Sequence, residues 1–170
     1  GHYFAAQRWG VKASLPYFLP LPYISFLGTL GAVIKIRSPI PHKRALLDIG
    51  ASGPLAGFVV ALVACFAGLA HSSVLQANQF HTSPIELGAP LLFDGIATLV
   101  LPEIGPDQLV LLHPVAFAGW VGLFITAFNL FPIGQLDGGH IVYALFGPRH
   151  RLIARTAYAI LLAMGIYGIL

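Results

Sequence analysis

Phe128-Asn129-Leu130-Phe131-Pro132-Ile133-Gly134-Gln135-Leu136-Asp137-Gly138-Gly139-His140 closes an apolar run that starts at Val115. The run is long enough to enter a bilayer, and an acid then appears where the hydropathy says membrane. An aspartate isolated at the bilayer centre costs about 2.5–3.5 kcal/mol on insertion scales. Asp137 must therefore be paired, wetted or bound to a metal. Pro132 removes a backbone donor and Gly134 relaxes the backbone, so a helix is predicted to break just before Asp137. Gly138 and Gly139 leave room for close approach to the backbone. Taken alone, Asn129-x-x-Pro132 reads as a kinked membrane helix, with Asp137 capping the next half-helix.

Composition agrees with a membrane. Of the 170 residues, 57% are hydrophobic and 9% charged, against roughly 25% charged in soluble domains. The length suits one domain. Met164 is the only methionine, so residues 1–170 are expected to be a piece of a longer chain. The single cysteine, Cys65, excludes an intrachain disulfide and reads as a packing residue in an apolar run.

Charge placement sets an orientation. The basic residues form two groups, Arg8, Lys12, Lys35, Arg37, Lys43 and Arg44, then Arg149, Arg151 and Arg155. The segment from His71 to Pro114 has no basic residue but holds Glu86, Asp94, Glu103 and Asp107. Basic loops stay on the cytoplasmic side, which puts His71–Pro114 on the other. No aromatic-basic pattern points to nucleic acid.

Outward from the opening stretch, an all-α polytopic membrane protein is expected. Gly1 to Arg8 reads as the tail of a truncated N-terminal membrane helix, stopped by Gly10. Leu15 to Pro41 carries Pro16, Pro20, Pro22, Pro39 and Pro41. Its β-prone middle, Ile24 to Ile36, predicts strands, a hairpin or an aromatic loop at the membrane face. About three complete spans are expected: Ala45–Ala70, Val115–Phe131 and Leu152–Leu170. A half-helix, Leu136–Phe146, comes after the break at Pro132. Gly50, Gly53, Gly57, Ala61, Ala64 and Gly68 make one smooth helix face for tight packing. Asp48 is placed to favour that helix's N-terminus. Leu91 to Leu101 predicts a short interfacial helix. His71, His81 and His113 have no metal-ligand spacing. No internal repeat is visible, which argues against an inverted-repeat transporter.

Asn129-x-x-Pro132-x-x-x-Leu136-Asp137-Gly138-Gly139 resembles the second signature of the site-2 protease family, the intramembrane zinc metalloproteases. Gly1-His2-Tyr3-Phe4-Ala5-Ala6 resembles the last two positions of that family's His-Glu-x-Gly-His motif and the aromatic and small residues after it. Gly28-Thr29-Leu30-Gly31-Ala32 and the Gly50–Gly57 run with Ser52-Gly53-Pro54 come in family order. Such a zinc site needs three protein ligands and an open position. Two histidines four apart share a helix face, and the glutamate beside the first is the general base.

The resemblance implies His2 and Asp137 as Zn2+ ligands. The first histidine and the catalytic glutamate would lie just before residue 1, so this piece alone would lack a ligand and the base. It implies Asn129 as a catalytic residue bonded to substrate or the reacting centre, and Gly28 and Thr29 as substrate-binding positions. His140 shares a helix face with Asp137, but the family uses the aspartate, so His140 is expected to support the site or lie at the interface. Residues 1–170 would form one membrane-embedded metalloprotease domain, truncated inside the zinc motif. The implied activity is hydrolysis of transmembrane segments of other membrane proteins. The setting would be a lipid bilayer, a bacterial cytoplasmic membrane with the site toward the cytoplasm, and no nucleic acid. A substrate helix must unwind to expose its peptide bond, and the β-prone edge could hold it by strand addition. The alternatives are a non-catalytic relative acting as scaffold or binding protein, and a transporter using Asp137 as an ion or proton site.

Overall fold

The computed structural model describes residues 1–20, 29–76, 88 and 90–169. The chain divides into two compact units, Gly1–Ala56 with Ala127–Leu170, and Gly57–Thr126.

In the first unit, helix α1, His2–Arg8, ends at Trp9. Gly10 takes a positive φ of 66°. Its N–H reaches Gln7 O at 3.0 Å, and the Val11 N–H reaches Ala6 O at 2.9 Å. This glycine-closed end satisfies carbonyls the helix leaves open, and Val11 packs on Ala6 as such ends usually require. Strands β1, Tyr17–Pro20, and β2, Thr29–Val33, pair antiparallel, with an irregularity between Phe18 and Pro20. Proline cannot donate to a ladder, so the disturbance falls where chemistry puts it. The hairpin base is tied by Arg37 N–H to Lys12 O at 2.7 Å and Ser14 N–H to Lys35 O at 2.9 Å. Every residue of β1 is exposed, Phe18 included. The β-prone stretch thus contains β2, while its partner comes from the proline-rich segment before it. Residues 24–28 lie outside the described residues.

Helix α2, Lys43–Ala70, runs 28 residues, about 42 Å at 1.5 Å per residue, against a hydrocarbon core of about 30 Å. Among the described residues it is the one helix long and apolar enough to cross a membrane. It starts at Lys43, ahead of the expected Ala45. His42 Nδ1 accepts the Ala45 N–H at 3.3 Å, serving the first turn in place of Asp48. The Asp48 carboxylate instead accepts the Trp9 indole N–H at 3.0 Å.

The second unit takes the rest of α2. Strands β3, Ser73–Gln76, and β4, Gln108–Leu111, pair antiparallel in uninterrupted register. No sequence expectation covered this hairpin. Each strand is four residues long and the partner is remote, so local pattern carries little signal. Helix α3, Leu91–Val100, is amphipathic and buries Phe93 and Ile96. Helix α4, Pro114–Asn129, has 16 residues. Both are apolar but shorter than α2. The core of this unit joins Ala61, Cys65 and Leu69 to Phe93, Ile96, Ala116 and Leu123. The helices touch closely because side chains are missing where they meet. A Cβ on Gly68 would strike the Ala116 backbone, and one on Gly119 would come within 2.7 Å of Cys65 Sγ. His113 and His71 serve the hairpin's ends. His113 Nδ1 accepts the Val115 N–H at 3.2 Å, and His71 Nδ1 donates to Ala67 O at 2.8 Å. His81 lies outside the described residues.

Returning to the first unit, α5 spans Asp137–Phe146 and ends at Gly147, with φ 56°. A short 3-10 turn, Gly147–Arg149, leads into α6, His150–Ile169.

Candidate metal centre

Between the end of α4 at Asn129 and the start of α5 at Asp137, the backbone passes through tight turns. Ile133 N–H reaches Phe131 O at 2.8 Å, and Leu136 N–H reaches Ile133 O at 3.3 Å. Gly134 takes φ 58°, a conformation that side chains with a Cβ resist. Leu136 is extended, and α5 then begins on Asp137. The reason for Gly138 and Gly139 is now visible. A Cβ on Gly138 would meet the carbonyl oxygens of Leu130 and Phe131, and one on Gly139 would meet that of Gly134. The close approach predicted at these glycines is made by the chain's own turn, which folds back over the start of α5.

Across from Asp137 stands His2, on α1. Its Nε2 lies 3.4 Å from Asp137 Oδ2. Its Nδ1 lies 2.7 Å from the main-chain oxygen of Ile49 on α2. Both side chains are mostly covered, at 30% and 18% exposure. The imidazole sits over Gly53, where an added Cβ would overlap its Nε2 edge. Gly53 belongs to the small-residue face of α2. It also makes the space that His2 occupies, a role that spacing along one helix cannot reveal.

These residues line a cavity of about 360 Å³. Asn129, Gln135 and His140 share it with His2 and Asp137, and Ala32 and Val33 of β2 form another part of its wall. Asn129, His2 and Asp137 are therefore brought together. Gln135 was not singled out from the sequence; it sits inside the signature as an unspecified position. Thr29 opens β2, and Gly28 lies outside the described residues.

The donor pair suits zinc. A tetrahedral ion with bonds of about 2.0–2.2 Å holds its ligand atoms about 3.3–3.5 Å apart, and Nε2 and Oδ2 stand 3.4 Å apart. The carbonyl on Nδ1 matches the usual outer partner of a metal-bound histidine. Among the described residues, no group of three or more His, Cys, Asp or Glu side chains is gathered. His2 and Asp137 thus form a pair, one ligand short of a protein set of three.

The sequence profile of peptidase family M50 matches residues 1–170. The probable zinc metalloprotease EGY1, chloroplastic, of Oryza sativa subsp. japonica is 36% identical over 177 residues, covering 99% of this chain and 29% of its own length. The probable zinc metalloprotease EGY2, chloroplastic, of Arabidopsis thaliana is 33% identical over 154 residues, covering 86% of this chain and 26% of its own length. The Arabidopsis thaliana EGY1 protein, likewise described as a probable zinc metalloprotease, is 34% identical over 172 residues, 99% of this chain and 31% of its own. The chain thus spans less than a third of the length of these relatives. No solved structure matches it.

Proposed function

Because the chain belongs to peptidase family M50, the site-2 protease family its signature resembles, we propose that it forms the membrane-embedded catalytic region of a zinc metalloendopeptidase. Its substrates are the transmembrane segments of other membrane proteins. The observation that carries this reading is the 3.4 Å separation of His2 Nε2 and Asp137 Oδ2 inside a cavity shared with Asn129.

His2 and Asp137 are the residues that would hold the metal. Zinc, when bound, polarises a carbonyl and lowers the pKa of its water to about 7. The protein's own contribution is placement. The Ile49 carbonyl oxygen accepts a hydrogen bond from His2 Nδ1–H, which leaves Nε2 to face Asp137. Asp137 brings negative charge into an apolar region, where a cation offsets its desolvation. Asn129 ends α4 on the cavity wall, and its amide can donate to a substrate carbonyl as charge develops there. The β2 wall of the cavity offers backbone groups to an unwound substrate strand, which supports recognition by strand addition. Thr29 opens β2, and Gly28 and Thr29 are assigned to substrate binding.

Residues 1–170 act as one metalloprotease domain piece, integral to the membrane through α2. In the finer arrangement, α4 and α6 cross as well, the path bends at Pro132, and the site opens toward the cytoplasm of a bacterial cell. The basic groups at both ends of the chain support that side.

The test is cleavage of a tagged single-span substrate by the full-length protein in liposomes. Cleavage is expected to stop on zinc chelation and in Asp137→Asn, which keeps shape but removes the ligand charge. Undiminished cleavage by well-expressed Asp137→Asn would remove the mechanism. Zinc binding by a parent that cleaves no candidate substrate would favour the scaffold reading.

A further inference from the structure

We propose that one turn of α2, Ile49 to Gly53, is a positioning device for His2; the inference rests on the zinc reading above. The Ile49 oxygen is a carbonyl and can only accept. Its 2.7 Å contact with His2 Nδ1 therefore puts the ring proton on Nδ1. Nε2 is the nitrogen left to face the Asp137 carboxylate oxygen, 3.4 Å away. A cation between these two atoms is attracted by the carboxylate and can be bound by the Nε2 lone pair.

The turn also determines where the ring can sit. A Cβ at Gly53 would overlap Nε2, Cε1 and Cδ2 of His2, so the imidazole fills the volume that any other residue would need. Ser52 Oγ donates to the same Ile49 oxygen at 2.9 Å, which holds that carbonyl's direction. Pro54 lies inside α2 and brings no N–H to the Gly50 carbonyl, opening the ladder at this turn. Gly50 meets the other half of the pair: its Cβ position lies 3.7 Å from Asp137 O and 3.5 Å from His140 Cβ. One turn of backbone thus seats the histidine and abuts the helix that carries the aspartate. Ile49 and Gly53 are positioning residues; they act through His2.

The experiment is a zinc titration of the full-length protein in detergent against a chromogenic chelator. The parent binds zinc, and Gly53→Ala, whose methyl displaces the ring from the Ile49 oxygen, binds it about 10–100-fold more weakly, the usual loss when a metal-bound histidine is parted from its outer partner. Gly165→Ala on α6, whose added methyl meets open space, keeps the parent affinity. A parent that takes no zinc overturns the zinc reading and this inference with it. A parent that takes zinc, with Gly53→Ala binding equally tightly, overturns the positioning role alone. An equal loss in Gly165→Ala overturns it too. Nitrogen-15 NMR of histidine-labelled, zinc-loaded parent does not depend on any variant folding. A His2 proton on Nδ1 with the metal on Nε2 is the expected result, and the opposite tautomer overturns the proposal.

Discussion

His2 and Asp137 face each other with Nε2 and Oδ2 3.4 Å apart. A direct charge-assisted hydrogen bond between such groups closes to about 2.7–2.9 Å. The 3.4 Å gap is longer than this and is compatible with the proposed metal lying between the two atoms. The same two residues are remote in sequence, so the fold must offset the ordering entropy of bringing them together.

Metal content is the most direct consequence. Full-length protein is expected to carry one zinc per chain. His2→Ala and Asp137→Ala should each lose most of it, as measured by elemental analysis after gel filtration. Full occupancy in both variants would show that the pair is not a metal site.

Asn129→Ala should fold normally and lower kcat by about 10²–10³-fold, the usual effect of removing a donor to developing charge. Zinc content should stay at the parent level, since the amide is not a ligand. A fall in zinc content equal to the fall in rate would assign Asn129 to holding the metal instead.

Changes at Gly28 or Thr29 should act on binding. Thr29→Pro removes a backbone donor at the start of β2. The apparent KM for a membrane-helix substrate should rise more than kcat falls. A pure kcat effect would place this edge outside substrate recognition.

Topology is expected to obey the charge asymmetry. Single cysteines replacing Arg37 and Arg149, in a Cys65→Ala background, should label from the cytoplasmic side, and one replacing Asp107 from the opposite side. Labelling of positions 107 and 149 from the same side would refute the proposed crossings.

Gly138→Ala should destabilise the fold by about 1–3 kcal/mol, the usual cost of forcing a methyl into packed space. The new methyl would meet the Leu130 and Phe131 carbonyls, and backbone cannot swing aside as a side-chain tip can. Thermal unfolding in detergent is the measurement, with Gly165→Ala as the neutral comparison. A parent-like melting temperature for Gly138→Ala would contradict the tight turn over α5.

Sequence alone determined the family, the membrane character, the long helix near Ala45–Ala70 and the short helix from Leu91. Hydropathy, helix punctuation and a signature string are local properties, readable without knowing what lies nearby. Tertiary structure alone decided that the His2 ring rests on Gly53, that the Ile49 carbonyl accepts its hydrogen bond, and that Ser73–Gln76 pairs with Gln108–Leu111. It also moved Asp48 from its expected place at the start of α2 to a bond with Trp9. Each of these joins segments far apart in the chain, and no window of sequence holds both partners. A glycine reads the same whether its missing Cβ admits a neighbouring helix or an imidazole ring. Only the packed chain distinguishes the two, because only there does the space have an occupant.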